Sequence, residues 1–351
     1  MMASAGAEHA SLLLAHRSVL ARRVMEEHLQ RHPQLAHGHR DVWLRCEEDT
    51  SDHLRHLAAA IETQRPALFD GYVRWTADAL HAYGLRIVDL KAHFRVLVEV
   101  LETEVDARLG AEVRTLVDGA FERLAPRRDE PASFLEPDHP SGRLARDYLA
   151  ALLEGERSTG VAMVLDAVEQ GMPIETLYLD VLQPALREVG RLWQLGRVSV
   201  AQEHLVTAAT QLAMSTLYPR IAATPRDGRS VLVACIGAEL HELGARMVAD
   251  VFELHGWVVH FVGANTPTAT LVEAARARRV EVIALSATLT AHVPRVSEVV
   301  KEARSGTDAI VLVGGRAFLG VPDLWEVTHA DGTAPDAVTA VTLARELVGA
   351  A

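Results

Sequence analysis

Apolar residues recur every three or four positions through the first third of the chain: Leu12, Ala15, Val19 and Leu20; then Leu54, Leu57, Ala58 and Ile61; then Leu90, Phe94, Leu97 and Leu101. That period places them on one face of an amphipathic helix. It predicts five or six helices over residues 1–125 and almost no strand. Asp49-Thr50-Ser51 reads as a helix start, and Gly71 and Gly84 as punctuation of later helices. Prolines crowd 126–142 (Pro126, Pro131, Pro137 and Pro140, with Gly142), so a linker is expected there. The helical period returns over 143–222. Leu144, Tyr148, Leu149, Leu152 and Leu153 open it, Ser158 or Thr159 caps the next helix, Pro173 opens a third, and 200–217 form the last. This stretch predicts a four-helix bundle.

After a short linker at 224–229 the pattern changes character. Apolar runs at 230–236, 257–262, 280–286 and 309–313, and a short one near 326–328, alternate with helical stretches at about 244–255, 267–278, 292–305 and 335–349. Regular strand–helix alternation implies right-handed crossovers and a doubly wound parallel sheet, here over 229–351. The expected fold class is all-α at the N-terminus, then a four-helix bundle, then α/β.

Composition narrows the function. The 351 residues are 49% hydrophobic, enough for folded cores, and the net charge of -12 argues against a broad nucleic-acid surface. Cys46 and Cys235, the two cysteines, fall in different predicted domains and fit a reducing cytoplasm rather than a disulfide framework. No apolar run reaches membrane-helix length, and the start lacks the basic-then-apolar pattern of a secretion signal. No effector domain is expected beyond Val348-Gly349, so an unidentified effector protein is an expected partner.

Strand ends carry the candidate chemistry. Glu239-Leu240-His241-Glu242-Leu243-Gly244 follows the first strand, Ser286-Ala287-Thr288 the third, and Gly314-Gly315 the fourth. Open parallel sheets bind ligands at that edge. His241 can offer a neutral imidazole to a metal while Glu239 takes the proton of its other nitrogen; Gly244 leaves room for a bulky group. The two-histidine zinc motif fails, since position 245 is alanine, and no phosphate loop follows Gly237. A solvated turn with an incidental histidine is the plain alternative.

Elsewhere the signals are weaker. Ten histidines precede residue 94; most read as surface or core side chains, although His32, His37 and His39 share a loop that could capture a metal. Phe69, Tyr72, Arg74, Trp75, Tyr83, Arg86, His93, Phe94 and Arg95 mix aromatic and basic groups. An aromatic stripe of this spacing is more often core than pocket, but edged by arginines it would suit a flat organic acid. Trp193 reads as a core anchor, and Glu203-His204 as a favourable helix start.

Taken together, these motifs resemble cobalamin-binding proteins that displace the cofactor's own base and put a protein histidine on cobalt. Glu239-x-His241-x-x-Gly244, Ser286-Ala287-Thr288 and Gly314-Gly315 match that pattern in order, with Glu where Asp is commoner and Thr288 where some members have Leu. The resemblance implies a Rossmann-like domain with His241 as lower cobalt ligand oriented by Glu239. It implies Ser286 and Thr288 near the displaced base, Gly314 and Gly315 against the nucleotide tail, and the helical bundle as a cap. Trp193 followed by Glu203-His204 is similar to the signature of light-sensing members that use adenosylcobalamin. Their next residue after the tryptophan is a histidine that takes cobalt in the light; here it is Gln194, so a second-histidine state is not expected by that route, and His204 is the available substitute. The N-terminal domain resembles globin-like sensor domains, and the whole is similar to photocobilins, which also bind biliverdin. Cys46 is a possible bilin attachment point. The implied function is photoreception signalled by changed self-association, without catalysis, nucleic acid or membrane; a corrinoid methyl carrier is the alternative.

Overall fold

The computed structural model describes residues 2–32, 40–82, 84, 86–124, 130–136, 138–321 and 323–350. His37, His39, Tyr83, Pro137 and linker residues 126–129 lie outside them. The chain divides into two compact units, Met1–Arg128 and Asp129–Ala351. No described helix is long and apolar enough to cross a membrane.

Among the described residues the first unit holds six helices: α1 (Met2–Ala15), α2 (Arg17–Arg31), α3 (Arg40–Thr63), α4 (Pro66–Ala82), α5 (Ile87–Glu104) and α6 (Ala107–Arg123). Leu13, Leu57, Phe69, Phe94, Leu97 and Val113 are buried together, as the three-and-four spacing requires. Asp106 caps α6, its carboxylate accepting from the N–H groups of Arg108 and Leu109 at 2.6 and 3.1 Å. Two expected boundaries are absent. Residues 49–51 lie inside α3, because the Thr50 hydroxyl donates back to the Cys46 carbonyl at 2.6 Å instead of capping a new helix. Gly71 lies inside α4, where a Cβ would meet nothing within 4 Å, so this glycine marks no turn. Gly84, at φ +76°, does end that helix.

The second unit opens with α7 (Pro140–Leu153), so Pro140 and Gly142 belong to a helix. A proline at N1 lacks only an N–H that would have no helical partner anyway. Then come α8 (Arg157–Glu169), α9 (Ile174–Leu177), a π-helical turn (Tyr178–Leu182), α10 (Gln183–Gln194) and α11 (Val200–Ala222). Ser199 and Gln202 exchange hydrogen bonds in a capping box that starts α11.

Five parallel strands follow in the order β2-β1-β3-β4-β5: β1 (Ser230–Ile236), β2 (Val258–Thr266), β3 (Val282–Ser286), β4 (Ile310–Gly314) and β5 (Gly332–Thr333). Crossovers run through α12 (Leu243–Leu254), α13 (Thr268–Arg278), α14 (Val293–Gly306), the short α15 (Arg316–Leu319) and α16 (Leu324–Val327), and α17 (Ala337–Ala350) closes the unit. The strand expected near 326–328 is helical instead. Asp331 sets the pairing later: its N–H donates to the Val311 carbonyl at 2.8 Å, and its carboxylate accepts from the Val311 N–H at 2.7 Å.

Helices α7–α11 and the sheet share one core, in which Tyr178, Val181 and Leu217 are buried with Met247 and Phe252. A polar tie crosses the seam. The Tyr178 hydroxyl donates to Asp250 at 2.8 Å. Burial pushes the Asp250 carboxyl up to about 6 despite that bond. A raised carboxyl makes folding less favourable as pH climbs from the unfolded value near 4 through about 6. Tyr178→Phe removes the donor, so we expect about 1–3 kcal/mol lost at pH 7 and less at pH 4; thermal melts at both values check this.

Candidate functional site

Strand order reverses between β1 and β3, and the crevice beyond such a reversal is where open sheets bind ligands. Residues Cys235, Ser286 and Gly314 stand in register across β1, β3 and β4, so the loops that follow emerge side by side. The first loop turns through Ala238 at φ +71° and is held by the Asn265 side chain, which accepts the Ala238 N–H at 2.8 Å.

Glu239 is the hub. Its side chain is 0% exposed. One oxygen accepts from the His241 N–H at 3.0 Å and from its Nδ1 at 2.5 Å; the other accepts from the Thr288 N–H at 2.6 Å and from His292 Nδ1 at 3.0 Å. Burial alone would raise this carboxyl, but the converging donors outweigh it and hold Glu239 far below the usual carboxylate range. The carboxylate in turn raises His241 above the usual imidazole value. With Nδ1–H committed, Nε2 is left as a bare acceptor on a ring that is 61% exposed. This is the arrangement that orients a metal-ligating histidine.

The neighbouring loops leave space. Ser286 is half-buried and its hydroxyl makes no hydrogen bond among the described residues. The Ala287 N–H donates to the Gly314 carbonyl at 3.0 Å, tying the second loop to the third. At Gly315, φ is +94° and a Cβ would lie 2.4 Å from the Ala287 carbonyl oxygen. Gly315→Ala should therefore cost about 1–3 kcal/mol in backbone strain alone, read as a lowered melting temperature. On Gly244 a Cβ would meet nothing within 4 Å. Each loop also raises an exposed leucine at this edge: Leu240 at 70%, with Leu289 and Leu319. Leucines left in water around a bare imidazole suit a broad, largely apolar ligand face.

The helical region supplies the other side. Trp193, half-buried, ends α10; Glu203 lies in the first turn of α11 and accepts from the Thr207 hydroxyl at 2.9 Å. The Glu203 charge adds to that of Glu239 in raising His241. His204 lies 3.5 Å from Glu203 and is 73% exposed. Arg191 donates to both oxygens of Glu188, at 3.0 and 2.7 Å, and to Glu130 at 2.7 Å, fixing the helix end that carries Trp193. His292 was missed in the sequence, although a histidine four residues beyond Thr288 was the available signal.

The first unit gathers imidazoles. His53 Nδ1 shares a 2.7 Å hydrogen bond with the Tyr72 hydroxyl, His56 stacks on the Tyr72 ring at 3.7 Å, and His93 packs edge-on to His53 and His28. The aromatic face thus belongs largely to the core, with Trp75 stacked at its margin. Nδ1 of His28 is buried without a hydrogen-bond partner among the described residues. Burial pushes the Cys46 thiol up, away from the reactive thiolate. No group of three or more His, Cys, Asp or Glu side chains among the described residues is placed to hold a metal ion.

Residues 229–342 match the family model of the B12 binding domain, and residues 144–218 match a second B12 binding domain model. Both segments belong to the B12-binding family. The HTH-type transcriptional repressor CarA of Myxococcus xanthus is 32% identical over 164 residues, 46% of this chain and 54% of the repressor, so the chain spans about half that protein's length. Dimethylamine corrinoid protein 1 of Methanosarcina acetivorans is 26% identical over 214 residues, 58% of this chain and 97% of that protein. The structure of the Methanosarcina barkeri monomethylamine corrinoid protein aligns with a TM-score of 0.52 at 19% identity, over 58% of this chain and 98% of that one, and shows a shared fold. The ligand class of the B12-binding segments is a corrinoid. The bare Nε2, the exposed leucines, the partnerless Ser286 hydroxyl and the crowded Gly315 all fit one.

Proposed function

We propose that the chain is a light sensor that holds adenosylcobalamin with the cofactor's own base displaced and His241 on the lower face of cobalt. The observation that carries this reading is the His241 imidazole, proton committed to Glu239 and Nε2 bare at the reversal of strand order. Bound there, the cofactor supplies a cobalt–carbon bond that light cleaves. Glu239 holds the imidazole's proton and its orientation. Ser286 and Thr288 would face the displaced base, Gly314 and Gly315 would admit the nucleotide tail, and Gly244 would clear its path. Trp193, Glu203 and His204 would form the upper pocket, with Glu203 toward ribose hydroxyls. Position 194 is a glutamine, so the histidine nearest the upper face is His204.

The domain reading that goes with this is a globin-like sensor at 1–125, a four-helix cap at 143–222 and a Rossmann-like domain at 229–351. Biliverdin is the proposed second chromophore, held without a covalent bond at the margin of the sensor's aromatic core, where Arg74, Trp75 and Arg95 are exposed. Self-association is the proposed output, with an effector protein downstream. Similarity to a transcriptional repressor supports a signalling role; similarity to a corrinoid protein over nearly all of its length supports a second reading, a methyl carrier, which leaves the first unit without a task.

Reconstitution with adenosylcobalamin in darkness, followed by illumination, separates the two. We expect the absorbance to change on illumination and the elution volume to shift. An unchanged spectrum and size, together with methyl turnover beside a methyltransferase, would establish the carrier instead. A red band after expression with biliverdin tests the second chromophore.

A further inference from the structure

Helix α11 has two apolar faces, and one of them is left in water. Val206, Ala209, Ala213, Met214, Leu217 and Ile221 are buried in the core shared with the sheet. A second row, Ala201, Leu205, Ala208, Leu212, Ser215 and Pro219, is exposed along its whole length. Its steps alternate between four and three residues, the 3.5-residue period of a seam between two packed helices. Helix faces that meet water normally carry charge. The chain is 23% charged. Yet from Ala201 to Pro219 the one charged residue is Glu203, which is half-buried and accepts from the Thr207 hydroxyl.

The row is complementary to itself when reversed. Set two copies of α11 antiparallel about a two-fold axis level with Thr210. Leu205 then lies opposite Ser215 of the second copy, Ala208 opposite Leu212, and Ala201 opposite Pro219. Each leucine meets a small side chain, which is how facing helices interlock without voids. A parallel pair would set leucine on leucine and alanine on alanine, crowding some layers and leaving gaps in others. Ser215 can face a leucine without stranding a polar group: its hydroxyl donates to the Gln211 carbonyl at 2.8 Å and accepts from Arg246 at 3.0 Å. Gln202 and His204, both exposed, flank the row as a polar rim. Charge agrees with the reversal. The helix has its acid, Glu203, in the first turn and its base, Arg220, in the last. Antiparallel copies put each at the level of the opposite charge, with the helix dipoles opposed.

We propose that this row is a homodimer seam, in which α11 packs antiparallel on α11 of a second copy of the chain. The proposal rests on the self-association proposed above and gives it a surface. A partner of unrelated sequence would require no complementarity under reversal; a second copy related by a two-fold axis does. The seam begins in the turn that carries Glu203 and His204, so a shift of that turn moves Ala201 and Leu205 with it.

The test follows the molar mass of the full chain by light scattering over a range of concentrations. Three states are compared: without cofactor, with adenosylcobalamin in darkness, and with it after illumination. We expect a dimer in at least one state. Leu205→Glu and Leu212→Glu should each raise its dissociation constant about tenfold or more, since each places two unpaired charges in the seam. Both positions are exposed in the chain itself, so the circular dichroism spectrum should stay that of the wild type. Register is read in a Cys46→Ser background under mild oxidation. Leu205→Cys combined with Ser215→Cys should give a covalent dimer. Either cysteine alone should not, because like positions lie about 15 Å apart along the axis. Glutamate variants that associate as the wild type does, or single cysteines that cross-link as readily as the pair, overturn the seam. A wild type that is monomeric at every concentration in all three states also overturns it, and leaves the row to a partner of another kind. A dimer on this seam that ignores illumination keeps the seam and fails the light-sensing reading. A light-driven change of size that survives both glutamates keeps that reading and overturns the seam.

Discussion

His241→Ala should lower corrinoid affinity by about 100-fold or more, since even partners that only orient a metal-ligating histidine are worth about 10–100-fold. Any cofactor still held should show the spectrum of a corrinoid with its own base on cobalt. Stability should fall by about 1–2 kcal/mol, because the buried Glu239 carboxylate loses the Nδ1–H donor but keeps the His241 N–H, the Thr288 N–H and His292. Glu239→Gln should behave differently. An amide can satisfy only part of the set of donors that meet at this buried carboxylate, and its own N–H₂ would face others. We expect corrinoid affinity to fall about 10–100-fold and stability to fall about 3–5 kcal/mol, as when a buried charge pair is broken. Titration by absorbance gives the first quantity and thermal melts the second. Equal melting of the two variants would show that Glu239 is not the structural hub described above.

Acidification should unfold the first unit. Burial pushes His53 down to about 3, and it lowers His93 and His28 as well. A histidine depressed in the fold takes up its proton more readily when unfolded. Its contribution is complete above the unfolded value near 6.5 and is lost as pH falls. At pH 4.5 that value lies about two units above the solution, which for His53 alone is about 2.7 kcal/mol lost. Domain stabilities of about 5–15 kcal/mol leave little margin once His93 and His28 add to this. Hydrogen exchange resolved over residues 50–100 should show protection collapsing between pH 6 and pH 4.5, and His53→Gln should flatten that dependence. Protection that holds unchanged to pH 4 would rule the account out.

The sheet was legible because alternating apolar runs and amphipathic helices leave few topologies open. Its strand ends then placed Glu239, His241, Ser286 and Gly314-Gly315 together without any knowledge of the loops. Side chains acting against local rules were illegible. Thr50 has the profile of a cap but bonds back along a continuous helix, and Pro140 reads as a break but starts a helix. Val327 and Thr328 are β-branched, as strand residues often are, yet Asp331 fixes the pairing five residues on from Glu326. His292 was hidden for another reason: its partner Glu239 is 53 positions away, and no spacing rule links two loops of a sheet.

The π-helical turn at Tyr178–Leu182 has an angular consequence. A π turn accommodates one residue more than an α turn, so the rest of the helix lags by roughly one residue's rotation, about 100°. At the start of the turn Tyr178 bonds Asp250; downstream of it Arg187, Gly190 and Gln194 share one face of α10. Deleting one residue within the turn would let the helix close into an uninterrupted spiral with the later positions in their present phase. The same deletion beyond Gln183 would swing arginine, glycine and glutamine about a quarter turn off axis, a compass error introduced by a single missing residue.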